Sequence, residues 1–398
     1  MPWKSAASEQ ELRAEFVQLM LKSEKPVSAL CKDYGIARKT AYKWKRRYLE
    51  TGDLSNRSTR PKTSPSATPH NVVDAILQIR SKHQTLGGTK ISIMLRRKGL
   101  VDVPSGTTVT SILRRHNLLN PRAVAEAKHY VRFTKDKPNE MWQVDFKGHF
   151  PMCDGNRCHP LNAIDDYSRF NICSEPLLTE DYATVKRVFE RVFRKYGLPF
   201  SLLCDNGHPW GGISQRLAIT RFEVWLMELG VLTLHGKAAH PQTQGKDERY
   251  NKSFTRELLS FRQLRDLSHA RAEFEEYRRF YNTERPHLGI GGLVPADLYE
   301  PSRTPYPEQI TTWQYDRVAK TRMVSEDGYV SFGCRHLFVS EGLAGKRIAF
   351  VPTHDDGVFY LLFRNFIIGK YDLHTREYVF RKPYLMVGDP RPWAPKLV

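Results

Sequence analysis

The sequence lacks the long apolar segment that a membrane span requires. None of its 398 residues lies in a run approaching the roughly 18 to 20 apolar residues of a transmembrane helix. The first eight residues also lack the basic and apolar regions of a signal peptide. Six cysteines scattered through so long a chain do not form the pattern of a secreted disulfide framework, so we expect free thiols. These absences favour a cytoplasmic protein with no membrane partner.

Acidic residues are scarce in the first third of the chain. Residues 1–138 hold about 27 lysines and arginines against about 11 acidic residues, so most of the formal net charge of +19 lies there. A field of this sign attracts polyanions and speeds their encounter with the protein. The charge distribution therefore predicts a nucleic-acid partner that is held first by the amino-terminal third.

Residues 1–51 show the spacing of a helix-turn-helix domain. Apolar residues recur at helical intervals over 9–20, and shorter helices are expected over 26–34 and from Arg38 to about Leu49. The third helix has an apolar stripe formed by Ala41, Trp44 and Tyr48. The positions away from that stripe are Arg38, Lys39, Tyr42, Lys43, Arg46 and Arg47. Such side chains reach phosphates and base edges in a major groove, although a solvated basic face on a core helix is the alternative.

Two linkers flank a second helical unit. Residues 52–68 have little apolar content and read as a flexible linker, and 121–138 form a basic linker. Between them, residues 69–120 resemble a second helix-turn-helix-like domain, in which Arg114 and Arg115 point outward and are candidate DNA contacts. Two such units on a linker would contact separated segments of one long DNA site.

The character of the chain changes after the basic linker. Residues 139–302 alternate apolar strands with amphipathic helices, which predicts an α/β core. Residues 303–398 show short alternating strands with turns and predict a small all-β barrel. The predicted fold is therefore multidomain, with all-α helix-turn-helix units, an α/β core and a small β-barrel.

Three acids in the α/β region stand where catalytic carboxylates are expected. Asp145 lies in the strand pattern WQVDF, and Asp205 ends the buried strand pattern PFSLLCD, at the edge where α/β active sites form. The pair Asp247 and Glu248 begins a helix. At about 100° per residue, Glu248 lies well away from the apolar stripe, whereas Asp247 falls on its edge and can favour the helix amino terminus. We assign Glu248 to the chemistry and Asp247 to capping.

Other acids are alternatives that the sequence leaves open. Asp165 and Asp166, in AIDDYSR, could be metal ligands, but a pair at a strand end more often caps a turn or pairs with a residue such as Arg169. Glu223 and Glu228 lie on a predicted helix and are either surface charges or rival third ligands.

The segments WQVD, CDNG and HPQTQGKDERYNK resemble, in order and spacing, the catalytic core of retroviral integrases and of bacterial insertion-sequence DDE transposases. The later segment YNTERPHLGIGGLVPADLY is similar to the one that closes the core in the insertion-sequence branch. The resemblance implies an RNase-H-like core in which Asp145, Asp205 and Glu248 are catalytic and hold two Mg²⁺ ions, with Mn²⁺ as a substitute. It also makes Gln244, Asn251 and Lys252 candidates to touch the DNA end.

The implied activity is DNA transposition. Such an enzyme binds the terminal inverted repeats of its element, cleaves at the element ends and joins the 3′-hydroxyl ends to target DNA by phosphoryl transfer. The partners would be double-stranded element and target DNA, bound by a homo-oligomer associated with the bacterial nucleoid. Two alternatives remain: a domesticated DNA-binding regulator without strand-transfer activity, and a metal-dependent nuclease.

Overall fold

The computed structural model describes residues 9–22, 24–56, 58, 67–119, 134–211, 218–235 and 245–385. Two compact units divide the chain, Met1–Ala67 and Thr68–Val398. Among the described helices, none is both long and apolar enough to cross a membrane.

The amino-terminal unit consists of three helices around a small core. They are α1 (Glu9–Lys22), α2 (Val27–Asp33) and α3 (Arg38–Thr51). Phe16, Val17 and Trp44 lie in the core that the three helices share. The predicted helices are confirmed, with ends that differ by one to a few residues. Gly52, at φ 63°, ends α3 in the left-handed conformation that suits glycine.

The second helical unit packs on the α/β core. Its helices are α4 (His70–Lys82), α5 (Gly88–Arg97) and α6 (Gly106–Arg115). Their apolar faces share one hydrophobic cluster with the later helices α9 (Gly245–Phe254) and α10 (Leu267–Thr283). Arg97 donates two hydrogen bonds to Asp297, at 2.7 and 3.0 Å, and His83 stacks on Phe280. This unit is therefore fixed to the core by apolar and polar contacts.

The α/β core is a mixed sheet with helices on it. Its strands are β1 (Met141–Phe146), β2 (Phe150–Pro151), β3 (Arg157–Asp165), β4 (Asn171–Leu177), β5 (Ser201–Cys204) and β6 (Leu232–His235). The spatial order is β4–β3–β1–β5–β6, and β2 pairs with the start of β3. β1, β3 and β4 pair antiparallel, whereas β1, β5 and β6 pair parallel. This order and these directions form the RNase-H-like core that the sequence predicted.

Two helices complete the core and receive the carboxyl-terminal region. They are α7 (Tyr182–Tyr196) and α8 (Arg221–Glu228). The carboxyl-terminal strands are β7 (Lys320–Met323), β8 (Tyr329–Phe332), β9 (Arg335–Phe338), β10 (Arg347–Pro352), β11 (Val358–Phe363), β12 (Phe366–Asp372) and β13 (Tyr378–Leu385). They form a five-stranded antiparallel sheet and a β8–β9 hairpin. This all-β region shares a hydrophobic cluster with α8 and β6.

Candidate active site

Asp145 lies at the carboxyl end of β1, the central strand of the sheet. β1 runs parallel to β5, with Gln143 opposite Leu203, and Asp205 is the first residue after β5. Because parallel strands end at the same edge, the two carboxylates are brought close together. Burial and the negative charge of Asp205 raise the pKa of Asp145 to about 6.

The two neighbouring acids of α9 occupy different environments. Asp247 faces the sheet and is only 1% exposed. The Glu248 side chain is 56% exposed and accepts a 2.6 Å hydrogen bond from Lys252, one turn later on the same helix. The helix thus presents one carboxyl to the interior and one to solvent.

Asn251 connects Asp247 to Asp145. Its buried side-chain amide donates to Asp145 Oδ2 at 3.1 Å and to Asp247 Oδ2 at 2.9 Å. Its oxygen accepts a 2.8 Å hydrogen bond from Asn162, which fixes the orientation of the amide. Burial, followed by the charge of Asp145, raises the pKa of Asp247 well above its usual range.

The connection of Asp247 to Asp145 through Asn251 was not predicted from the sequence. The prediction placed Asp247 at the edge of the apolar stripe and gave it a capping role. The helical spacing contained a signal for this position. Asp247 lies three residues before Tyr250 and seven before Phe254, so the three share one face of α9, and Tyr250 and Phe254 are buried. Asn251, a candidate DNA contact by resemblance, has its amide committed to the two acids.

An open groove runs past Asp145. Asp145 and Glu248 line it together, with Lys147, Lys252 and Arg256 also on its surface. Part of the groove wall is a π-helical turn over Thr255–Leu259 that follows α9 directly. π-Helical turns occur frequently at functional sites. The groove therefore combines carboxylates with cations that can bind an anionic backbone.

The side-chain oxygens at this edge are of the type that a hard divalent cation binds. Burial and the carboxylates that crowd together disfavour their charged forms, which a bound cation would relieve. Among the described residues, nothing donates a hydrogen bond to the buried Asp247 Oδ1. Oxygen donors of this kind suit Mg²⁺. Within the described part of the chain, however, no three His, Cys, Asp or Glu side chains are grouped closely enough to hold a metal ion.

A buried pair lies beneath Asp205. His235, at the end of β6, has Nδ1 2.9 Å from the Asp205 carbonyl oxygen and Nε2 2.7 Å from Glu223 Oε1. The other Glu223 oxygen accepts the backbone N–H of Thr220 at 2.6 Å and so caps α8. Glu228, five residues later, forms an ion pair with Lys346 of the carboxyl-terminal region. Both acids that were alternatives for the third ligand therefore have structural partners.

The predicted DNA contacts of α3 fall into two groups. Arg38, Lys39, Tyr42, Lys43 and Arg46 are exposed. Arg47 differs, because its side chain is 11% exposed, lies over the Trp44 ring and forms a 3.0 Å ion pair with Asp53.

The remaining candidates are spread over unit Thr68–Val398. Arg114 and Arg115 are exposed at the end of α6, and the Lys252 side chain is 74% exposed on α9. Gln244 lies outside the described residues.

Three parts of the chain match known domain families. Residues 135–241 and 229–295 each match an integrase core domain, and residues 12–62 match a helix-turn-helix domain. The two integrase core matches together span the sheet, α9 and α10, and the third covers most of α1 and all of α2 and α3.

Solved integrase structures are also similar. The catalytic core domain of HTLV-2 integrase, solved with magnesium, is 17% identical, covering 41% of this chain and 97% of that one at a TM-score of 0.31. The BIV integrase core is 20% identical over 40% of this chain and 93% of that one, with a TM-score of 0.32. A simian T-cell lymphotropic virus intasome chain is 17% identical, covering 71% of this chain and 94% of that one with a TM-score of 0.35.

Two curated relatives come from insertion elements. An uncharacterized 31.7 kDa protein of insertion element IS407 of Burkholderia multivorans is 27% identical over 40% of this chain and 55% of its own length. An uncharacterized 39.2 kDa protein of insertion element IS476 of Xanthomonas euvesicatoria is 25% identical over 42% of this chain and 46% of its own length. The chain spans about half the length of these relatives. The chain thus contains integrase core and helix-turn-helix domains and is similar to proteins of bacterial insertion elements, which confirms the resemblance to insertion-sequence DDE transposases.

Proposed function

We propose that the protein is a DNA transposase that cleaves at the ends of its element and joins the 3′-hydroxyl ends to target DNA. The observation that carries the proposal is the groove in which Asp145 and Glu248 lie together among Lys147, Lys252 and Arg256. The proximity of Asp205 to Asp145 adds a third acid. A phosphodiester in this groove would have carboxylates at the reacting phosphate and cations along its flanks.

Asp145, Asp205 and Glu248 are the residues that would hold the two Mg²⁺ ions, or Mn²⁺ in their place. Such ions would supply activation of the attacking oxygen and stabilisation of the leaving oxygen in an in-line displacement. Asn251 keeps the Asp145 carboxylate oriented toward the groove through its 3.1 Å hydrogen bond. Lys252 pairs with Glu248 at 2.6 Å, and its ammonium group would be able to pair with a DNA phosphate instead.

Sequence recognition is assigned to the helical units. The exposed face of α3, with Lys39 and Lys43 at its centre, would read the terminal inverted repeats, and Arg114 and Arg115 of α6 would contact a further segment. Gln244 remains a candidate contact to the DNA end. The carboxyl-terminal strands would close into a barrel that contributes DNA or subunit contacts.

Two element ends must be held together during transposition, so we propose a homo-oligomer on DNA in the bacterial nucleoid. The test incubates labelled element ends with the full-length protein, Mg²⁺ and a supercoiled target plasmid. Joined products are expected. Cut ends without joining would identify a metal-dependent nuclease, and binding without cleavage would identify a DNA-binding regulator.

A further inference from the structure

Asp166 is a buried carboxylate whose hydrogen bonds link three parts of the α/β core. It directly follows β3 and is 0% exposed. Its Oδ2 accepts the backbone N–H of Lys135 at 2.8 Å, and its Oδ1 accepts a 2.7 Å hydrogen bond from Gln143. Lys246 of α9 also donates to Oδ1. Because a buried charge is costly unless it is paired and hydrogen bonded, this number of partners is what keeps Asp166 inside.

Gln143 carries the connection from Asp166 to α9. It lies on β1, two residues before Asp145, and is also 0% exposed. Its amide NH₂ group donates to Asp166, and its oxygen accepts the backbone N–H of Asp247 at 3.2 Å. The first N–H groups of a helix have no partner within the helix, so this hydrogen bond satisfies one of them.

Lys246 connects the helix to the same carboxylate from the other side. Its side chain is only 14% exposed, whereas that of Lys252 on the same helix is 74% exposed. A lysine in the first turn of a helix opposes the helix dipole, so its charge there calls for a specific acceptor. Asp166 is that acceptor.

We propose that Gln143, Asp166 and Lys246 form a latch that holds the amino end of α9 against β1 and thereby positions Glu248 relative to Asp145. The inference rests on the proposed function, because it concerns the acids assigned to that site. The three latch residues are positioning residues, since each acts on the site through α9 or β1. The latch joins the strand that carries Asp145 to the helix turn that carries Glu248.

The test measures the amide hydrogen exchange of α9 and the Mn²⁺ concentration that cleavage requires. Amide hydrogen exchange of residues 245–254 is followed in full-length Lys246→Met and Asp166→Asn variants and in wild type. Lys186→Met is the matched control, because it removes a partly exposed ion pair with Glu190 on α7. Faster exchange in α9 is expected for both latch variants and wild-type exchange for the control. Lys246→Arg, which keeps the cation, should retain most of the protection.

The same variants are then tested for cleavage across a range of Mn²⁺ concentrations. The half-saturating Mn²⁺ concentration should rise by about tenfold, with binding of element ends within about twofold of wild type. The double variant should be no worse than the more affected single variant, because the two residues act as one unit.

Two results would overturn the latch: α9 exchange equal to wild type in the folded variants, or a lower melting temperature with unchanged Mn²⁺ dependence. If Asp166→Asn does not fold, Lys246→Met and Lys246→Arg decide the matter. If wild-type protein neither cleaves nor joins DNA, the proposed function fails, and exchange in α9 still decides the latch.

Discussion

The exposed face of α3 and the edge formed by β1, β5 and α9 both carry charged residues, but those residues are held in different ways. On α3, Lys39 and Lys43 extend from one helix into solvent. At the sheet edge, Asp145 and Asn251 hydrogen bond to each other across 106 residues of sequence. Charges of the first kind act nearly independently, whereas those of the second kind depend on one another's positions. Substitutions should therefore have graded effects on α3 and severe, non-additive effects at the edge.

The largest effect is expected from neutralising the acids at the ends of β1 and β5. Asp145→Asn or Asp205→Asn should lower cleavage and joining on the order of a thousandfold or more, because each removes a proposed anionic oxygen ligand. Binding of element ends, measured by mobility shift, should stay within about twofold of wild type. Loss of end binding in a folded Asp145→Asn protein would contradict the division between the two regions.

Asp247 and Glu248, the neighbouring acids of α9, are expected to differ in their effect on cleavage. Glu248→Gln should be as severe as Asp145→Asn, because Glu248 is the proposed ligand. Asp247→Asn should cost about 10- to 100-fold, since it perturbs only the hydrogen bonds that orient Asp145. Single-turnover cleavage of a labelled end measures both. The reverse order of severity would show that Asp247 is the third catalytic acid.

A smaller effect on activity is expected from changes to Glu223, which contacts Asp205 through His235. Glu223→Gln weakens the support of His235, which contacts the Asp205 backbone, and should raise the half-saturating Mg²⁺ concentration for cleavage by about tenfold. Glu228→Gln is the control, because it removes an ion pair from the same helix without touching His235. Equal metal dependence in the two variants would show that His235 and Glu223 do not position Asp205.

The smallest effect is expected on α3. Lys39→Ala and Lys43→Ala should each weaken end binding by a few-fold and reduce the slope of log K against log salt concentration by roughly one phosphate contact. Cleavage by the bound complex should not change. Lys22→Ala, on the exposed end of α1, removes the same charge elsewhere in this unit. If all three variants changed the slope equally, net charge rather than the α3 surface would account for binding.

The elements were predictable from the sequence because they depend on local spacing. The three helices of the first unit, the strand before Asp205 and the amphipathic helices of the α/β core follow from apolar periodicity. The strand predicted from the pattern WQVDF around Asp145 is confirmed as β1, which begins one residue before that pattern, at Met141, and ends at Phe146. The ends of elements depend on tertiary contacts, which a pattern of residue types does not contain.

The polar connections of the site were not predictable in the same way. Asp165 and Asp166 were expected to cap a turn or pair with Arg169, and Asp165 does cap the turn by accepting the N–H and hydroxyl of Ser168. Asp166 instead pairs with Lys246, 80 residues away. Local spacing carries no information about partners so distant, and the alternation of β1 did not show that α9 would cover Gln143.

The packing of α4–α6 on α10 has a consequence for how the protein would measure DNA. Since Thr68–Val398 is one compact unit, α6 and the groove keep a set separation. A duplex held by Arg114 and Arg115 would then meet Asp145 at a constant number of base pairs from that contact. The distance between α6 and the groove would therefore set which phosphodiester bond is cleaved. A one-base-pair insertion in the element end would shift that bond away from the acids.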